Sequence, residues 1–267
     1  KGKCYWVKVY DIPEGGRAAK GRAIVNLIGC EPDEKVSAFI GVKQDQFHED
    51  HFVVMATEKG IVKKTKLSAY SNPRKKGIYA VEIREGDSLI EARVSNGEND
   101  ILLGTTNGKS IRFSEEQIRP SGRKTMGVKG ITLSSKDDKV VGMLLIKREG
   151  TVLVATENGF GKRTEIIQYR AQKRGGKGVL TMKTTDKIGK MITIKEVVGT
   201  DDLMIIRDDG VLIRMPVSQI RSIGRATQGV KLIKLAEGTK VSAITRIISE
   251  EEKTADEPEN NPEPQDA

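Results

Sequence analysis

Aromatic residues are scarce in this sequence, at 4% of 267 residues with a single tryptophan. Any core must therefore be assembled from Val, Ile and Leu, side chains that suit strands. Only two cysteines occur, Cys4 and Cys30, without CxxC spacing. That argues against a metal site or a disulfide framework and makes reduced thiols in a cytoplasmic protein the expectation. The two histidines, His48 and His51, share one acidic loop, QFHEDHF, and read as solvated loop residues rather than metal ligands. No apolar run reaches membrane-spanning length, no signal peptide is visible, and no GxxxxGK[ST] loop offers a seat for nucleotide phosphates. Helix signals are slight, with SEEQIR and PVSQIR good for single turns at most. Proline is rare, 8 residues against 28 glycines, which favours many turns over a collagen-like or disordered chain.

Charge is plentiful and uneven. The net charge is +9, yet Glu250 to Ala267 holds eight acidic residues and one lysine, a net of −7, so the preceding body carries +16. A folded body that basic points to a polyanion, most often nucleic acid. The acidic segment has three prolines and no large apolar side chain. It is expected to be a disordered tail over 249–267, competing with phosphates for the basic body, while 1–248 forms one domain.

The strongest signal is internal repetition. HFVVMATEKG, NDILLGTTNG, GTVLVATENG and DDLMIIRDDG end at Gly60, Gly108, Gly159 and Gly210, and Gly2 closes the remnant of a fifth; the spacings are 58, 48, 51 and 51 residues. A second short strand follows each glycine (KCYWVKV, IVKKTKL, KSIRFSE, FGKRTEI, VLIRMPV), so the glycine reads as a hairpin turn that needs a positive φ. A further glycine lies 19 residues on in four units and 17 in the other: Gly21, Gly77, Gly127, Gly178 and Gly229. It opens a third strand (GRAIVNLI, GIYAVEI, GVKGITL, GVLTMKT, GVKLIKL), and a fourth follows in KVSAFIGV, SLIEARV, KVVGMLLI, MITIKEV and KVSAITRI. Four short strands in about 50 residues predict an all-β, propeller-like array of five four-stranded blades. A β-solenoid is the competing architecture, but its repeats are usually shorter.

Basic residues recur at fixed places in this register. Four residues past the hairpin glycine stand Trp6, Lys64, Arg112, Arg163 and Arg214. Before the second glycine lies a basic loop in every unit: GGRAAKG, SNPRKKG, SGRKTMG, QKRGGKG and IGRATQG. It places Arg17, Arg123, Arg174 and Arg225 four residues ahead of that glycine, with Arg74 three ahead in the shorter unit, and Arg119, Arg170 and Arg221 eight ahead. Radial blades put equivalent loops at equivalent radii, so these arginines would line a rim. Guanidinium forks pair with phosphate oxygens, and neighbouring glycines let backbone N–H groups approach as well. Such an array binds backbone and reads little sequence. Edge protection is the competing reading, but it does not need arginine at fixed register.

The run Gln172, Lys173, Arg174, Gly175, Gly176, Lys177, Gly178 resembles the seven-residue "GyrA box" of the gyrase A family, usually Q-R-R-G-G-[RK]-G, with Lys173 in place of an arginine. CYWVKVYDIPEGGRAAKGRAIVNLI, Gly159 to Thr164 and Gly224 to Val230 are also similar to that family, and the likeness extends to about Ile248. In the family, the box itself stands upstream of a CYW-like segment, so the resemblance implies that part of the first blade precedes Lys1. It further implies a β-pinwheel, a propeller with swapped strand order, that wraps duplex DNA. In the whole enzyme, a gyrase A homodimer joined to gyrase B as an A2B2 complex, wrapping presents a segment for ATP-driven strand passage and negative supercoiling. Catalysis would lie in other domains; this one is expected to be non-catalytic and to need no cofactor or metal. The alternatives are the equivalent domain of topoisomerase IV, a protein-binding propeller with a basic rim, and an enzyme with a site in a central channel. The last would need carboxylates or histidines clustered at repeat positions, and the sequence has none.

Overall fold

The computed structural model describes residues 2–16, 19–31, 34–47, 50–72, 74 and 76–247. Arg17, His48 and the acidic tail lie outside the described residues.

The second repeat supplies strands β2 (Phe52–Thr57), β3 (Ile61–Lys66), β4 (Ile78–Tyr79) and β5 (Leu89–Ser95). The third supplies β6 (Asp100–Thr105), β7 (Lys109–Ser114), β8 (Val128–Lys129) and β9 (Val140–Ile146). The fourth supplies β10 (Thr151–Thr156), β11 (Phe160–Glu165), β12 (Val179–Leu180) and β13 (Met191–Val197), and the fifth β14 (Asp202–Arg207), β15 (Leu212–Pro216), β16 (Val230–Lys231) and β17 (Val241–Ile247). Among the described residues, the first repeat supplies only β1 (Lys3–Cys4). Each long hairpin closes at its marker glycine, whose N–H meets the carbonyl three residues back, as from Gly60 to Thr57 and from Gly159 to Thr156, both at 3.0 Å. All ten marker glycines have positive φ, between 68° and 97°. The chain could not otherwise turn there at low cost.

Sheet membership does not follow the repeats. The third strand of each unit leaves its own hairpin and completes the sheet of the preceding unit. β8 pairs with β3 (Val62↔Val128), β12 with β7 (Ser110↔Val179), β16 with β11 (Gly161↔Val230) and β4 with β1 (Cys4↔Ile78). The sheets read β5-β2-β3-β8, β9-β6-β7-β12 and β13-β10-β11-β16, with a three-stranded β17-β14-β15 and the two-stranded β1-β4. Five four-stranded blades were expected. The first repeat falls short: GRAIVNLI holds a 3-10 turn at Ile24–Asn26, and KVSAFIGV forms no strand.

β5, β9, β13 and β17 lie against one another in that order and form the inner edge of the array. β8, β12 and β16 therefore lie at the outer rim. The inner blades stack through both faces of their hairpins. Val53 and Met55 pack toward Trp6, Leu67 and Tyr70, while Val54 and Ala56 pack toward Ile101, Leu103 and Met143 of the next blade. Likewise Val152 and Val154 join Leu102 and Leu144, whereas Leu153 and Ala155 join Leu203 and Ile205. Burial on both faces is why these strands read as unbroken apolar runs rather than alternating ones. No helix among the described residues is long and apolar enough to cross a membrane.

Candidate nucleic-acid interface

The last three basic loops sit on the outer rim because the neighbouring blade ties them there. At the start, the Ser121, Gln172 and Ile223 N–H groups donate to the Lys64, Arg112 and Arg163 carbonyls at 2.8, 2.8 and 2.9 Å. In the middle, the Thr125, Gly176 and Thr227 carbonyls accept from the Glu82, Thr132 and Lys183 N–H groups at 3.1, 2.8 and 3.0 Å. At the end, the second glycine rests on the preceding blade. A Cβ on Gly178 would meet the Ser110 carbonyl oxygen at 2.3 Å, and one on Gly127 the Val62 oxygen at 2.4 Å.

Arg119, Arg170 and Arg221, spaced 51 residues apart, each follow a buried residue (Ile118, Tyr169, Ile220) that closes a 3-10 turn. All three are exposed, as are Arg74, Lys173 and Lys177. Arg123 is half-buried. Arg174 and Arg225 are also half-buried and partly committed: Arg174 Nη1 donates to the Lys129 carbonyl at 3.1 Å and its Nε to the Gln117 carbonyl at 2.9 Å, while Arg225 Nη1 donates to the Leu180 carbonyl at 2.9 Å. These two guanidiniums hold the swapped strands while keeping donors to spare. Gly175, Gly176 and Gly178 supply the turn of the box-like run, with φ of 80° at Gly175.

The positions four past the hairpin glycine take another role. Lys64 is buried, its Nζ 3.3 Å from Glu115 Oε2 and 4.5 Å from the Phe52 ring centre. Arg112 binds Asp100 Oδ2 at 2.7 Å and reaches the Ile166 and Tyr169 carbonyls, both at 3.3 Å. Arg163 Nε donates to the Ile220 carbonyl at 2.7 Å. Each cation therefore staples its blade to the 3-10 turn of the next, and this is where the structure places Lys64, Arg112 and Arg163, read from the sequence as DNA contacts. At this register the following blade packs over the face of the strand that carries the cation. Arg214 bonds Asp202, and its side chain is 64% exposed.

Three residues that matter here escaped the sequence reading. Gln117 clamps the box-like loop: its Oε1 accepts from the Arg174 N–H at 2.9 Å and its Nε2 donates to the Gln172 carbonyl at 3.3 Å. Lys63 and Lys162 lie under the other two loops, 1% and 0% exposed. Burial, with Arg123 and Arg225 respectively nearby, brings both ammonium groups down to about 8. The adjacent basic pairs in IVKKTKL and FGKRTEI carried the signal, since one of two neighbouring strand residues must face inward.

A stack of sheets whose outer strands are swapped between successive repeats is a β-pinwheel, the propeller-like class with exchanged strand order. The chain belongs to the family described as DNA gyrase C-terminal domain, beta-propeller, which matches residues 1–42, 51–96, 99–147, 150–197 and 201–247. It is 43% identical over 263 residues to the gyrase A protein of Staphylococcus aureus (strain NCTC 8325 / PS 47), covering 98% of this chain and 29% of that protein. It is 44% identical over 254 residues to the gyrase A protein of Staphylococcus epidermidis (strain ATCC 12228 / FDA PCI 1200), covering 94% and 28%. The chain thus spans under a third of these relatives. A crystal structure of the C-terminal domain of DNA topoisomerase IV shares the fold at a TM-score of 0.84 and 22% identity, covering 93% of this chain and 77% of that one. A DNA gyrase A C-terminal domain structure does so at 0.78 and 20%, covering 92% and 80%.

Proposed function

We propose that this domain binds and wraps duplex DNA around its outer rim. The observation that carries the reading is the recurrence of exposed Arg119, Arg170 and Arg221 at one register, each beside a basic loop fixed to the rim. Bending 20–30 base pairs by 40–90° costs roughly 1–6 kcal/mol, which a row of phosphate contacts can offset. Contacts of this kind position the duplex without reading bases. As part of a gyrase A protein, in an A2B2 complex with gyrase B, the wrap would present a segment for ATP-driven strand passage and negative supercoiling in the cytoplasm. The domain itself would be non-catalytic and free of cofactors and metals, folding over 1–248 with the acidic tail outside the fold.

A second reading, that the chain is the equivalent domain of topoisomerase IV, leaves room for a rim that binds duplex without wrapping it. Ligase closure of nicked circles in the presence of the chain separates the two. Wrapping shifts the linking number of the closed products, and simple binding does not. For binding itself, affinity for random-sequence duplex should fall steeply with salt. Replacing Arg119, Arg170 and Arg221 with alanine should lower the salt slope by about 2–3. An affinity indifferent to salt refutes the nucleic-acid reading and leaves the protein-binding propeller.

A further inference from the structure

Two of the three rim loops on complete blades are held from beneath by a buried ammonium. Lys162 Nζ donates to the Gly224 carbonyl at 2.6 Å, to the Arg225 carbonyl, and to Thr227 Oγ1 at 3.0 Å. Lys63 Nζ donates to the Arg123 carbonyl at 2.5 Å and to the Ala80 carbonyl at 2.7 Å. Both lysines stand three residues past a hairpin glycine, and both act on the loop of the next blade. The two loops share more: Thr125 Oγ1 and Thr227 Oγ1 donate to the Gly122 and Gly224 carbonyls, each at 2.9 Å. The third loop, Gln172 to Gly178, breaks the pattern in a matched way. Ile111 takes the lysine's place, and Gly176 takes the threonine's, its Cβ position 3.4 Å from Ile111 Cδ1. Lysine goes with threonine, and isoleucine with glycine, across the blades of one chain.

We propose that Lys63 and Lys162 are positioning residues for polyanion binding: each draws loop carbonyl oxygens inward, so that the loop presents guanidinium and N–H groups, and not carbonyl dipoles, to a phosphate. This rests on the DNA-binding reading above. A carbonyl oxygen turned to the rim would repel phosphate, whereas one held by a buried cation is both turned away and neutralised. Burial of the ammonium is unfavourable to the fold by itself.

The test is Lys162→Met in the full chain, read in three ways. Backbone hydrogen exchange over 223–229 should quicken about tenfold, with 172–178 unchanged as an internal control. Affinity for random-sequence duplex should fall about three- to tenfold. The melting temperature should change little, because a desolvated charge and its hydrogen bonds are lost together. Lys63→Met should do the same to 121–127. Unchanged loop exchange overturns the proposal, as does a looser loop with undiminished affinity or a loss of affinity accompanied by a large fall in melting temperature. Should Lys162→Met not fold, Lys162→Gln and Lys63→Met carry the same readings, and failure of all three to fold also overturns it. If the unaltered chain binds no duplex, the DNA-binding reading fails, while loop exchange without DNA still decides whether the lysines position the loops.

Discussion

Glu115→Ala should be among the most damaging single changes in this domain. The carboxylate is fully buried. It accepts from Ser95 Oγ, from the Asn99 N–H at 2.6 Å and from Asn99 Nδ2 at 3.0 Å, and it pairs with Lys64 at 3.3 Å. Without it the ammonium, 5% exposed, keeps among the described residues the Glu115 carbonyl oxygen at 3.4 Å and the face of Phe52. Stranding a buried charge in this way costs about 3–5 kcal/mol. At about 2–4 °C per kcal/mol for a domain of this size, the melting temperature should drop by roughly 6–20 °C. Lys64→Met should cost less, about 1–3 kcal/mol, since the carboxylate keeps its three donors. A cycle with Glu115→Gln should give a coupling of at least about 1 kcal/mol by thermal or urea denaturation. Acid adds a second check. Burial raises the Glu115 carboxyl, but the Ser95 and Asn99 hydrogen bonds and the Lys64 charge outweigh it and hold the group below its usual value. Its contribution is therefore complete above the unfolded value and disappears as pH falls through the folded one. If Lys64→Met instead weakens DNA binding several-fold at an unchanged melting temperature, the cation faces DNA and the staple reading is wrong.

Three further outcomes are expected. Arg112→Ala should lower stability by about 2–3 kcal/mol, having lost a carboxylate and two carbonyl partners, while Arg214→Ala at the same register should cost under about 0.5 kcal/mol; equal effects in denaturation would refute the interblade role. Gly178→Ala should destabilise the β7–β12 pairing, because the residue holds φ of 69° and its new Cβ would lie 2.3 Å from the Ser110 oxygen; exchange protection at Val179 and Leu180 reports it. Between about pH 8 and 10.5 the folded chain binds fewer protons at Lys63 and Lys162 than the unfolded chain does, so stability should rise with pH by on the order of 1–3 kcal/mol per lysine. A Lys63→Met/Lys162→Met chain followed by urea denaturation across that range should lack the rise.

The hairpins were legible because each is local: an apolar run, a polar pair and a glycine hold all that is needed to fold it. The strand swap was not legible in residue pattern, and only the family likeness implied it. Val128–Lys129 and Val179–Leu180 are two residues long and show no alternation. Whether such a strand joins its own hairpin or its neighbour's is decided by contacts some 60–70 residues away in sequence, such as Val62↔Val128. The same non-locality hid the role of the cations. A strand pattern shows that Lys64 and Arg112 share a register, but not that the next blade's 3-10 turn lies opposite them. Exposure then separates Arg119, Arg170 and Arg221, which sit just past a buried residue, from Arg112 and Arg163, which sit within a sheet.

Shared register fixes where a side chain is and leaves open what it meets. Arg112 and Arg163 have a following blade with carbonyls to bind, and Arg214 has none among the described residues, so the same residue type at the same position is half-buried in two blades and mostly exposed in the last. The rim adds a second consequence. The Ser121, Gln172 and Ile223 bonds that place the basic loops are made to the backbone of Lys64, Arg112 and Arg163, the residues that staple one blade to the next. Loop placement and blade stacking thus depend on one set of residues. A change that lets two blades rotate also moves the loop between them, and with it the path available to a bound duplex. If the rim wraps DNA as proposed, the curvature it imposes would be set by the joints between blades as much as by the rim arginines. Two variants of equal charge but different interblade packing should wrap differently.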